Sequence, residues 1–229
     1  MLIAIEGIDG SGKGTQAQLL AKRLNDYGED VDLIQFPRYT ETVFGHEIGL
    51  YLNGEFGDLM SVHPKLGALL YAGDRFETRE RLIELLNHDR AIVCDRYTPS
   101  NQAHHAAKLP SEQWDQFFEW VELLEYGVFS IPRPDLVVFL DVDATLAAQL
   151  IKKKPKRNYT ARAADIHEIN ETYQAKVFEA YHHLVARNNW VRVDCMSGRS
   201  MKCETEVASI VWQHVEPLFG TDRMVKPSY

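Results

Sequence analysis

Cysteine is scarce in this chain of 229 residues, which contains only Cys94, Cys195 and Cys203. An odd number of thiols without metal-ligand spacing does not suit a disulfide framework and is typical of a reducing compartment. Long apolar runs are absent as well, and the apolar start MLIAIEG is too short for a secretory signal and lacks its basic residues. We therefore expect inert thiols in a cytoplasmic protein that has no membrane partner.

Basic residues are outnumbered, with 25 lysines and arginines against 33 aspartates and glutamates and a formal net charge of -8. A surface of this charge does not attract nucleic acid through released counterions, so we expect no nucleic-acid partner. The composition, 45% hydrophobic and 25% charged, is near the average for folded proteins. A chain of this length forms one sizeable core, and we expect a single domain over residues 1–218 and a polar tail over residues 219–229.

Short β-branched runs alternate with longer amphipathic stretches, which predicts an α/β fold whose parallel sheet is covered by helices on both faces. The predicted strands, apolar enough to be buried on both faces, are Leu2–Glu6, Val31–Phe36, Ala91–Asp95, Leu136–Asp141 and Trp190–Asp194. The predicted helices are Lys13–Tyr27, Pro64–Asn87, Ser111–Tyr126, Ala144–Ile151, Asp165–Arg187 and Arg199–Leu218, with a weaker helix over Glu41–Leu52. We therefore expect a three-layer α/β sandwich around a five-stranded parallel sheet.

The first chemical motif is GIDGSGKGTQ, residues 7–16, which follows a predicted strand and opens a predicted helix. This is the context of a phosphate-binding loop, in which glycines let the backbone wrap around phosphates and Lys13 reaches the β and γ phosphates of ATP. A chance glycine-rich turn is the alternative, and the agreement of glycines, lysine and flanking elements argues against it. The residues expected to bind ATP are Gly7, Ile8, Asp9, Gly10, Ser11, Gly12, Lys13, Gly14 and Thr15.

Two residues of this loop are unusual. Gly14 stands where a Ser or Thr normally ligates Mg²⁺, so we expect the metal to reach the loop only through water or through Thr15. Asp9 places a carboxylate beside bound phosphates, which is costly unless it meets a cation or a sugar hydroxyl. An aspartate that only caps the following turn is the alternative for Asp9.

Two further motifs follow predicted strands. In CDRYTPSNQ, residues 94–102, Asp95 and Arg96 lie at a strand end, where such sheets bind ligands. Asp95 is suited to hold Mg²⁺ through water and Arg96 to clamp a phosphate, and a purely structural ion pair is the alternative. In QFPRYT, residues 35–40, the ring of Phe36 and the cation of Arg38 suit an aromatic base and its phosphate.

Taken together, GIDGSGKGTQ, FPRY, YAGDRFE, DRYTPSN and RPDLVVFLDV resemble the thymidylate kinase family over residues 1 to about 215. The resemblance implies an enzyme that transfers the γ-phosphoryl group of ATP to dTMP, with Mg²⁺ as cofactor, and a homodimer. It also implies that Asp9 serves the 3′-hydroxyl and the metal, and that Arg75 hydrogen-bonds the base. The implied dTMP-binding residues are Asp9, Phe36, Arg38, Tyr39, Tyr71, Arg75, Arg96, Ser100 and Asn101.

Some of these roles have a plain structural alternative. Arg75 lies in DRFETRERLIELL, which also reads as a charged helix with pairs such as Glu77 with Arg81, and Tyr71 has the spacing of an ordinary helix core residue. His104 stands where some family members carry a tyrosine that favours deoxy sugars, which leaves sugar selection open. With its neighbour, the histidine at 105, it does not suggest a metal site, because adjacent residues on a helix point apart.

The basic run KKKPKRNYTAR, residues 152–162, falls where the family has a lid over the ATP phosphates, and we place that lid at about residues 152–165. Family members carry their catalytic arginine in the P-loop or in the lid, and Gly10 fills the P-loop position here. The resemblance therefore implies that Arg157 and Arg162 act from the lid with Lys154 in support, alongside Lys13 and Arg96, whereas an exposed basic face is the alternative. The implied Mg²⁺ residues are Asp9, Asp95 and Glu168.

Other P-loop functions fit the sequence less well. A guanine-reading P-loop switch needs an N/T-K-x-D type motif, which the sequence lacks. A kinase for nucleosides has less use for two phosphate-binding arginines such as Arg38 and Arg96. A nucleotide kinase with a different or broader acceptor is the main alternative to dTMP.

Overall fold

The computed structural model describes residues 1–151, 171–186 and 189–220. Within these ranges a parallel sheet is built from β1, β2, β3, β4 and β5, which span Leu2–Glu6, Val31–Gln35, Ala91–Asp95, Leu136–Asp141 and Trp190–Asp194. Their order across the sheet is β2-β3-β1-β4-β5, and all neighbouring pairs are parallel. The predicted five-stranded parallel sheet is confirmed, and β2 alone ends one residue before its predicted boundary.

Both faces of the central strands are buried, which explains their unbroken apolar sequences. In β1, Leu2 and Ala4 pack into one hydrophobic cluster, and Ile3 and Ile5 pack into another together with Val93 of β3. Alternate residues of a strand point to opposite faces of a sheet, so each cluster belongs to one layer of helices. The predicted three-layer arrangement is confirmed.

Eight α-helices lie within the described ranges. They are α1 Lys13–Tyr27, α2 Val43–Leu52, α3 Pro64–Asn87, α4 Thr98–Ala106, α5 Trp114–Glu122, α6 Ala144–Ile151, α7 Glu171–Leu184 and α8 Glu204–Val215. A 3₁₀ turn, Ser111–Gln113, precedes α5, and a π-helical turn, Leu123–Val128, follows it, so the predicted helix over Ser111–Tyr126 contains three geometries. None of the described helices is long and apolar enough to cross a membrane.

One helix was not predicted, and one predicted helix begins at a different residue. The sequence did not predict α4, although it carries the motif TPSN. The helix predicted from Arg199 begins instead at Glu204, because Met196–Ser197 and Ser200–Met201 form a small antiparallel hairpin, β6 and β7, before it. Gly198 adopts a positive φ of 60° in the turn of this hairpin, a conformation that breaks a helix.

The cysteines differ in their surroundings. Cys94 and Cys195 are buried, and burial raises the pKa of both thiols, that of Cys195 to about 12, which fits the expected inert thiols. Cys203 is exposed, and a hydrogen bond with the Thr205 hydroxyl lowers the pKa of its thiol. Cys203 is therefore an accessible thiol, which differs from the expectation that all three thiols are inert.

Candidate active site

The loop between β1 and α1 forms a cradle for phosphate. Gly12 is the N-cap of α1, with a positive φ of 89° and no side-chain hydrogen bond to the first turn. The backbone N–H groups that begin a helix lack intrahelical partners, and together they form an anion site. Lys13, the first residue of α1, folds back so that its Nζ donates to the carbonyl oxygens of Gly7 and Ile8 at 2.8 and 2.7 Å. The predicted loop thus places its lysine inside the cradle.

The pKa of the Lys13 side chain is lowered to a value near neutral pH. Its side chain is buried, and burial lowers its pKa to about 7, helped by repulsion from the Arg96 guanidinium. The carboxylates of Asp9 and Asp95 act in the opposite direction without cancelling this effect. Phosphate groups bound in the cradle add negative charge beside Lys13 and favour its charged form.

Gly10 leaves no room for a side chain in the loop. A Cβ atom at this position would lie 2.4 Å from the carbonyl oxygen of Ala147 in α6. An arginine therefore does not fit at position 10 unless α6 moves, which agrees with the prediction that a catalytic cation comes from elsewhere. The predicted lid residues Lys154, Arg157 and Arg162 lie outside the described residues.

Arg96 joins the end of β3 to the phosphate loop. Its Nη2 donates to Oδ1 of Asp9, and its Nη1 lies 3.3 Å from Oγ of Ser100. The backbone of Arg96 has a φ of 70°, a left-handed conformation that costs a non-glycine residue roughly 1–3 kcal/mol and is common at functional sites. Burial alone would lower the pKa of Arg96, but the Asp9 carboxylate raises it well above its ordinary value. Arg96 is therefore a fixed, permanent cation.

Glu6 holds the turn that follows Arg96. This carboxylate is fully buried at the end of β1, where Oε1 accepts from the backbone N–H of Tyr97 at 2.7 Å. Its Oε2 accepts from the hydroxyls of Ser100 and Tyr181 at 2.6 and 2.8 Å. Burial raises the pKa of Glu6, and these hydrogen bonds oppose that rise. No local pattern indicates this role, because Glu6 reads as the last residue of a strand.

A cavity beside Arg96 gathers most of the residues predicted to bind dTMP. Phe36 and Tyr71 supply aromatic walls, Arg75 and Arg96 supply cations, and Asp9 lies at the edge shared with the phosphate loop. We call this the acceptor cavity, and its lining is Asp9, Phe36, Pro37, Tyr39, Leu52, Tyr71, Arg75, Arg96, Ser100, His104 and His105. Tyr71 also packs against the small hydrophobic cluster of α2. It is therefore both a packing residue of α3 and part of the cavity wall.

Arg38 does not line the acceptor cavity. Its guanidinium pairs with Glu41, three residues further along the same turn, and its Nη1 donates to Thr78 at 3.2 Å. Its backbone N–H donates to the buried carboxylate of Asp74 at 3.0 Å, and burial raises the pKa of Asp74. The turn is thus fixed through its backbone, whereas the Arg38 side chain binds Glu41 and Thr78 outside the acceptor cavity.

Arg75 is buried, with only 1% of the residue exposed, so the solvated-helix alternative does not describe it. Its Nε and Nη2 donate to Oε2 and Oε1 of Glu125, both at 2.6 Å. Burial would lower the pKa of Arg75, but the Glu125 carboxylate raises it above its ordinary value. The predicted base-binding residue Asn101 is buried and shares this partner, since its Nδ2 donates to Oε1 of Glu125 at 2.7 Å. Sequence reasoning missed Glu125 altogether.

His104 is a buried neutral ring at the acceptor cavity. Its Nε2 lies 3.3 Å from Nη1 of Arg96, which can only donate, so Nε2 accepts and the proton resides on Nδ1. Burial lowers the pKa of His104 to about 3, and the ring therefore stays neutral at physiological pH. The adjacent His105 contacts the carbonyl oxygen of Asn101 through Nδ1, at 3.1 Å. The two rings thus have different partners.

The surroundings of Gly14 show which side chain could contact a magnesium ion at the loop. A Cβ atom at Gly14 would lie 3.0 Å from Oδ2 of Asp95, so a carboxylate stands close to the place of the missing hydroxyl. Among the described residues no three His, Cys, Asp or Glu side chains form a metal cluster. Mg²⁺ is commonly held by one or two carboxylates together with waters and substrate phosphates, and Asp9 and Asp95 fit that pattern. Glu168 lies outside the described residues.

A second cavity covers the phosphate loop itself. It is lined by loop residues, by Asp95 and Arg96 at the end of β3, and by Phe36, Pro37 and Tyr39. We call it the phosphate cavity. It shares Asp9 and Arg96 with the acceptor cavity, so the two cavities adjoin at this ion pair.

A third cavity, on the other side of the loop, was not anticipated from the sequence. Its walls are Gly10, Ser11, Gly12, Thr15, Gln16, Leu150 and residues 201–205 and 207 from the β7–α8 connection and α8. Gln16 ties these parts together by donating from Nε2 to the carbonyl oxygen of Glu204 at 3.0 Å. Within the described ranges, the buried Oγ of Ser11 and Oε1 of Gln16 have no hydrogen-bond partner. We call this the donor cavity, and the three cavities form one continuous row.

Comparison with known proteins agrees with this geometry. The sequence model described as thymidylate kinase matches residues 5–201. The chain belongs to the thymidylate kinase family. It is 34% identical to the thymidylate kinase of Mycobacterium tuberculosis over 187 residues, which covers 82% of this chain and 86% of that protein. It is 35% identical to the probable thymidylate kinase of Thermococcus onnurineus over 198 residues, which covers 84% and 88% of the two chains.

A solved structure of a thymidylate kinase from Candida albicans superimposes on the fold. The TM-score is 0.73 at 27% identity, and the match covers 95% of this chain and 92% of the other. The predicted membership of the thymidylate kinase family and the predicted P-loop kinase fold are confirmed, and with them the prediction of an ATP-dependent phosphotransferase acting on thymidylate. The roles of individual residues stay predictions.

Proposed function

We propose that this protein transfers the γ-phosphoryl group of ATP to dTMP, giving dTDP and ADP, where the acceptor cavity and the phosphate cavity adjoin. The observation that carries the proposal is that Asp9 and Arg96 line both the acceptor cavity and the phosphate cavity. A nucleotide in the acceptor cavity thereby brings its phosphate to the end of the P-loop. Direct transfer needs this alignment, because the attacking and leaving oxygens must lie roughly in line with phosphorus.

The transfer follows from these positions. A phosphate oxygen of dTMP forms a bond to the γ-phosphorus of ATP, while the bond from that phosphorus to the oxygen bridging to the β-phosphorus breaks. Lys13 stays with the moving phosphoryl group, and Arg96 binds the acceptor phosphate and neutralises its charge. Arg38 joins Arg96 on that phosphate after it leaves Glu41. The purine of ATP occupies the donor cavity, where Ser11 and Gln16 have unused buried hydrogen-bonding atoms.

The remaining cations extend this scheme. We place Arg157 and Arg162, with Lys154 in support, over the phosphates from the lid at about residues 152–165, because Gly10 has no room for an arginine. Mg²⁺, held through Asp9 and Asp95 and, as the sequence predicts, Glu168, would neutralise charge on the β and γ phosphates. The single domain is proposed to span residues 1–218, with residues 219–229 as a polar tail.

The protein is also proposed to act as a cytoplasmic homodimer. Three apolar side chains of α3, Leu66, Leu69 and Phe76, are 62%, 38% and 42% exposed and lie at helical spacing on one side of the helix. An exposed apolar stripe is commonly covered by a partner, and a second copy of the chain supplies a matching stripe in a two-fold dimer. The unpaired cysteines support a reducing compartment.

Labelled ATP provides the direct test of the reaction. With ATP labelled at the γ-phosphate and dTMP as acceptor, we expect the label to appear in dTDP, separated by chromatography. Lys13→Ala should lower the rate at least about tenfold, because it removes the cation that follows the phosphoryl group. Circular dichroism of the variant should match the unmodified protein, since the hydrogen bonds that Lys13 loses, to the carbonyl oxygens of Gly7 and Ile8, lie within the phosphate loop. Retention of more than about a tenth of the rate would contradict the role of Lys13.

A further inference from the structure

Glu125 gathers four hydrogen-bond donors at the base of the acceptor cavity. It is fully buried in the π-helical turn Leu123–Val128, and π-helical turns occur frequently at functional sites. Its carboxylate accepts from Nε and Nη2 of Arg75 at 2.6 Å, and from Oγ1 of Thr98 and Nδ2 of Asn101 at 2.7 Å. A carboxylate that binds both Arg75 and Asn101 controls the orientation of both side chains.

The amide of Asn101 has one orientation that satisfies these neighbours. Its Nδ2 donates to Glu125 and to the carbonyl oxygen of Ala68, at 2.7 and 3.0 Å, and both of these partners only accept. The opposite orientation would place Oδ1 against a carboxylate and a carbonyl. Glu125 therefore keeps Oδ1 on the other side of the amide, where it is buried and has no partner among the described residues. A buried acceptor without a partner is costly and points to a donor on a ligand.

Glu125 also determines which donor of Arg75 is left for a ligand. It engages Nε and Nη2, which leaves Nη1 for a ligand, and Arg75 lines the acceptor cavity. Asn101 follows Ser100, which also lines this cavity. The two side chains thus offer a ligand one donor, Nη1 of Arg75, and one acceptor, Oδ1 of Asn101.

The edge of thymine has the complementary order. It presents the O4 acceptor beside the N3–H donor, whereas cytosine presents an N4 amino donor beside an N3 acceptor. We propose that Glu125 is a specificity-determining positioning residue, which fixes the donor–acceptor polarity of Arg75 and Asn101 and so selects thymine over cytosine. This inference rests on the proposed function, since it assumes that the acceptor cavity receives dTMP.

The test compares dTMP with 5-methyl-dCMP, which has the same shape and the reversed hydrogen-bonding edge. The unmodified protein should prefer dTMP by at least about fiftyfold in kcat/KM, because a site with buried polar groups rejects a mismatched ligand strongly. In Glu125→Gln one acceptor oxygen becomes an amide donor, and the Asn101 amide is free to turn. We expect the preference to fall at least about tenfold in this variant. A smaller preference in the unmodified protein, or a smaller fall in the variant, would overturn the proposal.

Two variants separate positioning from stability. Thr98→Val removes one hydrogen bond from Glu125 without touching Arg75 or Asn101, so the preference should change less than about threefold. A fall as large as that of Glu125→Gln would assign Glu125 a merely structural role. Glu125→Asp keeps both acceptors and should restore part of the preference. The ratio of two substrates in one sample is independent of the folded fraction, so partial unfolding does not mask the result.

The outcomes also separate this inference from the proposed function. If the unmodified protein phosphorylates neither nucleotide, the proposed function is overturned, and the inference with it. If the unmodified protein phosphorylates both equally well, the kinase activity stands and the role of Glu125 is overturned alone. This comparison uses only the unmodified chain, so equal use of the two nucleotides overturns the role of Glu125 even if no Glu125 variant folds.

Discussion

Lys13 shows how the charge of one residue depends on what fills the site. In this structure, burial and the nearby Arg96 lower the pKa of Lys13 to about 7, so near neutral pH the side chain is only partly charged. Its Nζ donates to two loop carbonyls in this state. Bound phosphates add negative charge beside it and raise its pKa. The binding of ATP should therefore bring a proton with it.

At pH 8 the free loop holds Lys13 mostly neutral, and the ATP-bound loop holds it charged. We expect the unmodified protein to take up about one proton more per bound ATP than Lys13→Ala does. Isothermal titration in buffers of different ionisation enthalpy measures this number. The difference should shrink as the pH is lowered below 7, because Lys13 is then already protonated in the free protein. Equal proton uptake by both proteins at pH 8 would contradict the lowered pKa.

Single residues also show where sequence reasoning reaches its limit. The residues predicted to bind dTMP that belong to local motifs, such as Phe36, Arg96 and Ser100, do line one cavity. Glu6 and Glu125 escaped prediction because each is an ordinary acidic residue in its own segment. Their role arises from partners far along the chain, since Glu125 binds a residue 50 positions away. Arg38 was predicted at the acceptor phosphate, and the structure shows the nearby acid Glu41 as its partner.

Among the elements, the buried strands were the easiest to predict and α4 the hardest. The central strands β1, β3 and β4 are buried almost throughout, and the edge strands β2 and β5, which are partly exposed, are still marked by their β-branched residues and flanking turns. All residues of α4, Thr98–Ala106, are buried although most are polar, so the helix has no exposed face and no amphipathic period. Its polar side chains are satisfied by contacts such as Asn101 with Glu125, which no local pattern reveals. A buried polar helix beside a nucleotide site is thus hidden from periodicity analysis.

The packing of α2 against α3 supports the walls of the acceptor cavity. Gly73 of α3 allows the close approach, because a Cβ atom there would lie 2.5 Å from the ring of Phe44 in α2. In contrast, a Cβ atom at Gly49 in α2 would meet its nearest neighbour, the ring of Tyr39, at an ordinary 3.9 Å. The two glycines therefore offer a matched pair of substitutions.

Gly73→Ala should lower the free energy of unfolding by about 1–3 kcal/mol, because the added methyl group overpacks the α2–α3 contact. Gly49→Ala should leave stability unchanged or raise it by about 0.5–1 kcal/mol, since alanine favours a helix over glycine. Urea denaturation followed by circular dichroism measures both values. If the two variants were equally stable, the close approach of Phe44 to Gly73 would not be the determining contact.

For the molecule as a whole, the charge distribution matches the reaction. The chain carries a formal net charge of -8, yet Lys13, Arg75 and Arg96 converge on the row of cavities. The basic run at residues 152–162 adds to this set in the sequence. Glu125 and Asp9 hold Arg75 and Arg96 in place, and a phosphate bound beside Lys13 and Arg96 meets two fixed cations even though the total charge is negative. Two nucleotides with several phosphates fit this arrangement.

The proposed homodimer can be tested by sedimentation velocity. We expect the unmodified protein to sediment as two copies of the 26.2 kDa chain and Leu66→Glu as one copy, because a charge in the apolar stripe of α3 disfavours the contact. Met60→Glu is the matched control, since Met60 is 63% exposed but lies outside α3. A dimer that persists in Leu66→Glu would place the interface on another surface.

The central claim is that this protein phosphorylates thymidylate by reading its base, and a panel of acceptors tests it most directly. A coupled assay of ADP release should give kcat/KM for dTMP, dCMP, dAMP and dGMP with the unmodified protein, Arg96→Ala and Asn101→Ala. We expect dTMP to be preferred by the unmodified protein, all acceptors to weaken alike in Arg96→Ala, and the preference to shrink in Asn101→Ala. Equal use of dTMP and the purine nucleotides by the unmodified protein would contradict the account and indicate a kinase of broader acceptor range.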